Sequence, residues 1–136
     1  MRRAFTLVEL LIVVIILGIL AAIVVPQFTQ ASTDTQQSSL TQNLRTIRSQ
    51  IELYKAQHNG TYPTLANFVD QMTKKTTVTG ATGAGANLGP YLQVVPNNPF
   101  SSTNTVGNGA VGTSAWHYDE TTGAFKANDT AAHGNY

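Results

Sequence analysis

Glu9 is the only charged residue between Arg3 and Asp34, and it sits in an otherwise apolar run. A carboxylate in lipid costs a few kcal/mol at the midplane and less near the end of a span. It therefore calls for a positive partner. No Lys, Arg or His lies between Arg3 and Arg45. The candidates are Arg2, Arg3, a lipid headgroup, or a group that the unprocessed chain does not carry. Cleavage after Ala4 would create one: the α-amino group of Phe5, four residues from Glu9. That amine could belong to the same chain or to a neighbouring copy. A neighbour's amine would set the axial register of packed helices, the best-attested use of a buried charge pair. The plainer reading is a glutamate that snorkels to the interface.

Little else in the chain points to chemistry. There is no cysteine, which removes disulfides, thiolate metal sites and cysteine nucleophiles together. His58, His117 and His133 are scattered, without metal spacing or a Ser-His-Asp signature, and are expected at surfaces or turns. Trp116 and Tyr118 flank His117 and are expected to fill a small core. Asn59-Gly60-Thr61 and Asn128-Asp129-Thr130 match glycosylation sequons. With 11% charged residues and a net charge of +1, the chain lacks the basic patch of a nucleic-acid binder.

The elements that must position Glu9 follow from hydropathy. From Phe5 to Val25 the chain has a single charge, and from Leu10 to Val25 every residue is apolar or Gly. As a helix this segment spans about 31 Å, the thickness of a bilayer core. It has no wet face, and 136 residues cannot bury it. Membrane insertion is the physical conclusion. Pro26 ends the run and is expected to kink or open the helix against Ala22. From Leu40 an amphipathic seam appears: Leu40, Leu44, Ile47, Ile51 and Tyr54. Arg48 and Glu52, one turn apart off the seam, are placed to pair. Asn59-Gly60 stops the helix.

The remainder reads as a small head. Thr64 is expected to cap a short helix, 65–74, with Leu65, Phe68, Val69 and Met72 on one face. Residues 76–89 form a Gly/Ala/Thr loop, and 91–95 a candidate strand. Pro96-Asn97-Asn98-Pro99 turns the chain. Residues 101–114 form a second flexible loop. Residues 115–119 and 124–127 are expected to form a hairpin around Glu120-Thr121-Thr122-Gly123. The last nine residues are expected to fray. The fold class is α+β: a long N-terminal helix packed on a small C-terminal antiparallel sheet. The expected boundaries are 1–4 for a leader, 5–26 for the hydrophobic transmembrane and assembly helix, 27–59 for its amphipathic continuation, and 60–136 for the head.

The stretch Arg2-Arg3-Ala4-Phe5-Thr6-Leu7-Val8-Glu9-Leu10-Leu11-Ile12-Val13-Val14 resembles the class III signal of type IV pilins and type II secretion pseudopilins. Gly18 and Pro26 stand where that family has its helix glycine and proline. Residues 51–55 with Asn59-Gly60-Thr61-Tyr62-Pro63 resemble the end of the long helix in major pseudopilins. The resemblance implies that a prepilin peptidase cuts between Ala4 and Phe5 and N-methylates Phe5. It implies a homo-oligomeric helical filament, with an inner-membrane assembly platform and minor pilins as further partners. Two features depart from the family. The residue before the cut is Ala4 rather than Gly. Major pseudopilins also carry a calcium loop rich in Asp and Gly, of which Asn128, Asp129 and Gly134 remain here. No cofactor is expected, calcium being the one candidate.

The reading is a structural subunit of a type II secretion pseudopilus, not an enzyme. It is single-pass in the inner membrane, with Arg2 and Arg3 cytoplasmic and the head periplasmic. It contacts lipid and later its own copies, and no nucleic acid. Two rival readings are a type IV pilus pilin for adhesion, motility or DNA uptake, and a membrane-anchored periplasmic binding module that never polymerises. A secretory signal ending near Ala31 and a twin-arginine signal fit less well. Glu9 argues against both, as does the length of the apolar run for the first and the short leader for the second.

Overall fold

The computed structural model describes residues 5–136. The chain divides into two compact units, 1–36 and 37–136.

In the first unit the apolar residues form the opening of α1 (Leu7–Gln57), which runs without interruption through Pro26. The helix does not open there. Proline removes one N–H of the ladder, and hydroxyls bind neighbouring carbonyls just beyond it. Thr29 Oγ1 donates to Val25 O at 3.1 Å, and Thr33 Oγ1 to Thr29 O at 3.1 Å. Every large apolar side chain from Leu7 to Val25 is at least half exposed.

In the second unit the seam of α1 is fully realised: Leu40, Leu44, Ile47, Ile51 and Tyr54 are its buried residues. The helix stops where Asn59 and Gly60 take positive φ, 53° and 81°, and Gly60 N–H donates back to Lys55 O at 2.9 Å. A 3₁₀ turn (Leu65–Asn67) leads into α2 (Phe68–Thr73). The strands are short: β1 (Val106–Gly107), β2 (Trp116–Tyr118) and β3 (Phe125–Ala127). Sheet order is β1-β2-β3, with β1 parallel and β3 antiparallel to β2. The expected hairpin is β2–β3, paired Trp116↔Ala127 and Tyr118↔Phe125.

One core serves the head. Phe68, Met72, Val95, Trp116, Tyr118 and Phe125 are buried with the seam. Each such side chain contributes about 1.5–3 kcal/mol relative to exposure. Polar tips are satisfied at its margin. Trp116 Nε1 donates to Pro96 O at 2.9 Å and Tyr118 Oη to Pro63 O at 2.7 Å. Burial pushes the Tyr118 phenol well above its ordinary pKa.

Several local expectations fail for identifiable reasons. Residues 91–95 form no strand: the Tyr91 and Leu92 N–H groups both donate to Met72 O, at 3.0 and 2.8 Å. Val94 and Val69 are exposed, and Val95 takes the core position. Thr64 makes no side-chain cap. The Leu65 N–H is instead met by Glu120 Oε2 at 2.5 Å, and the Thr64 N–H by Gln71 Oε1 at 2.8 Å. Arg48 does not pair with Glu52. Its Nε donates to Phe125 O at 2.8 Å and its Nη2 to Tyr136 O at 2.5 Å, while Glu52 accepts from Tyr62 Oη at 3.2 Å. His58 is 2% exposed. Its Nδ1 donates to the Tyr54 carbonyl at 2.7 Å, and its Nε2 pairs with Thr76 Oγ1 at 2.9 Å.

The turn between β2 and β3 predicts an acid response. The Thr121 hydroxyl and N–H, followed by the Thr122 hydroxyl, hold the Asp119 carboxyl down from 3.8 to about 2. A depressed folded value means that protons bind the unfolded chain more readily. The contribution is whole above about pH 4 and is lost as pH falls towards about 2. Thermal melts across this window should show stability falling with pH, and Asp119→Asn should flatten the fall. An unchanged profile in that variant would count against the turn.

Candidate functional site

The first turn of α1 sets the environment of Glu9. Thr6 stands immediately before the helix and Glu9 is its third residue. Glu9 Oε2 accepts the Thr6 N–H at 2.9 Å and the Thr6 Oγ1–H at 2.8 Å. Thr6 Oγ1 in turn accepts the Glu9 N–H at 3.3 Å. This is a capping box, with two otherwise orphaned backbone donors satisfied reciprocally. The carboxylate also faces the positive end of the helix dipole. Among the described residues, the partners of Glu9 are the two neutral donors of Thr6. The signal was present as Thr6-Leu7-Val8-Glu9, a T-x-x-E spelling easily passed over in an apolar run.

The other expected residues sit as follows. Arg2, Arg3 and Ala4 lie outside the described residues, as does the Ala4–Phe5 bond. Phe5 is 78% exposed. At Gly18 a Cβ would meet nothing within 4 Å, so the glycine leaves a notch open to whatever packs there. Pro26 stays helical. The structure brings Thr6 and Glu9 together at the start of α1, and Phe5 lies two residues before the helix. Gly18 and Pro26 lie further along the same helix. That helix is long and apolar enough to cross a membrane, and none of its most apolar window is buried.

The remnant of the calcium loop does not fit a calcium ion. Calcium takes six to eight oxygens, usually with several carboxylates. Here Asp129 is the one carboxylate, and nitrogen donors occupy both its oxygens. Asn98 Nδ2 reaches Oδ1 at 2.8 Å, and His133 Nδ1 reaches Oδ2 at 2.5 Å. Asn128 turns its amide nitrogen to Ala110 O and Ser114 Oγ, at 3.1 and 2.9 Å. Among the described residues no group of three or more His, Asp or Glu could hold a metal.

An exposed apolar helix, capped by its own glutamate and joined to a small head built on a short three-stranded sheet, defines a pilin-like α+β protein. Residues 1–25 match the family described as "Prokaryotic N-terminal methylation motif". The chain is 32% identical over 101 residues to the type II secretion system core protein G of Pseudomonas aeruginosa, covering 74% of this chain and 70% of that protein. The proteins of the same name from Dickeya chrysanthemi and Vibrio cholerae are each 29% identical over 101 residues, with 74% of this chain covered. The match spans 65% of the former and 67% of the latter. No solved structure matches the chain at a comparable level. The chain belongs to the core protein G family of type II secretion systems.

Proposed function

We propose that the chain is a filament-forming structural subunit of a type II secretion pseudopilus. It is made with a leader of residues 1–4, cut by a prepilin peptidase between Ala4 and Phe5, and N-methylated on Phe5. The segment 5–26 anchors it in the inner membrane, and the periplasmic head, 60–136, is carried on the continuation 27–59. An assembly platform and minor pilins then draw it into a helical filament of its own copies. The observation that carries this reading is a capped glutamate four residues from Phe5, in a membrane-length helix whose apolar surface none of the described residues covers.

In assembly the lipid-facing surface is exchanged for helix surface. Lipid and neighbouring helices are equally apolar, so the driving force is packing and polar pairing rather than hydrophobic transfer. Gly18 leaves room for close approach. Glu9 supplies the polar pairing by turning from its own Thr6 to the Phe5 amine of a neighbour. Relatives named as type II secretion components favour a pseudopilus over a type IV pilus.

The processing step has a direct test. N-terminal peptide mass analysis of the purified subunit should give a chain beginning at N-methyl-Phe5. A mature chain beginning at Met1 would overturn the processing claim. One beginning near Ser32 would mean that the apolar segment is a cleaved secretory signal.

A further inference from the structure

The segment after β3 does not fray. Its Asp129 side chain is only 9% exposed and that of His133 21%. A carboxylate removed from water needs donors, and burial alone would raise its pKa. The bonds from His133 and Asn98 outweigh that effect and hold Asp129 below the usual carboxylate range. Asn98, itself fully buried, ties three places together. Its amide nitrogen donates to Ala115 O at 3.0 Å as well as to Asp129, and its Oδ1 accepts the Phe100 N–H at 2.9 Å. The His133 ring stacks on Phe100, with centroids 4.0 Å apart. The backbone joins in, with Gly112 N–H donating to Asn128 O at 2.6 Å.

We infer that segment 128–136 is fastened to the head by this Asn98–Asp129–His133 bracket, with the His133 N–H doing what a divalent cation would otherwise do for the buried carboxylate. The head then folds and holds its C-terminal segment without calcium. Access is not what excludes the ion. A cavity of about 520 Å³ opens beside the bracket, lined by Ser101, Thr103, Thr113 and Thr130 among others. What excludes it is donor chemistry: hydroxyls and one carboxylate already bonded to two nitrogens make a poor set for a hard dication.

The test is thermal unfolding of the purified full chain in detergent, followed by the near-ultraviolet signal of Trp116. The midpoint should agree within about 1 °C in EDTA and in millimolar calcium. His133→Ala should lower it by about 5 °C or more, and calcium should not restore it. Asp129→Asn should produce a similar loss, and the double variant little further loss. His133→Gln, which keeps an N–H donor, should recover part of the midpoint. A midpoint that rises saturably with calcium would overturn the inference. So would a His133→Ala midpoint equal to the parent's, or His133→Gln no better than His133→Ala.

Discussion

Deletion of residues 1–28 is expected to convert a membrane-bound protein into a soluble monomer with an intact head. Every large apolar side chain from Leu7 to Val25 is at least half exposed, and Phe28 is 77% exposed. Among the described residues the deletion therefore removes no member of the core. Among the described residues, the hydrophobic core lies wholly between Leu40 and Ala127. The seam of α1 needs no second chain to cover it. Phe68, Met72, Val95, Trp116 and Phe125 are buried with it in one cluster. What remains exposed on the head, such as Leu53, Val69, Val78, Val94 and Val111, is scattered apolar surface of the kind monomers ordinarily carry. Light scattering should give the mass of one chain, and circular dichroism a cooperative melt. A stable oligomer would mean that the head itself carries assembly contacts.

That outcome depends on the part of the fold that was most legible in the sequence. Spacings of four, three, four and three from Leu40 to Tyr54 admit one helix face, and that face is the buried one. The β2–β3 hairpin was legible because a turn sequence separates two aromatic-rich runs. Gly123 stands there at φ 73°, under the Tyr62 ring, where a Cβ would collide. What was not legible is long-range. The cap on Leu65 comes from Glu120, and the partners of Arg48 come from Phe125 and Tyr136. Strand β1 has two residues, too few for any periodicity. His58 is buried because Tyr54 and Thr76 satisfy both ring nitrogens, a pairing that no local pattern announces. At the candidate site the capping role of Thr6 went unread: its hydroxyl, three residues before Glu9, donates to the carboxylate.

The capping box sharpens the expectation for Glu9→Gln, which is that membrane insertion survives and incorporation into filaments fails. Glutamine serves the third position of a capping box as glutamate does, so its carbonyl oxygen can still accept from Thr6. The start of α1 is preserved. Removing the charge lowers the cost of placing the residue in lipid, by about 2–3 kcal/mol at most. Nothing in the single subunit is therefore impaired. The loss is confined to the step at which a new subunit brings its Phe5 amine out of the headgroup region and into an apolar helix bundle. There the carboxylate of the preceding subunit can leave Thr6 and neutralise the amine, which offsets desolvation and fixes the axial offset. An amide has no charge to offer. The amine would be left unpaired, a defect of about 3–5 kcal/mol by the measure of other broken buried pairs. That is a loss of about a hundredfold to several thousandfold in the incorporation equilibrium. Fractionation should find the variant in the inner membrane at normal level, and microscopy of cells expressing only the variant should find no filaments. Filaments at normal abundance would show that Glu9 keeps to Thr6 or snorkels to the interface, and that register is set by packing alone.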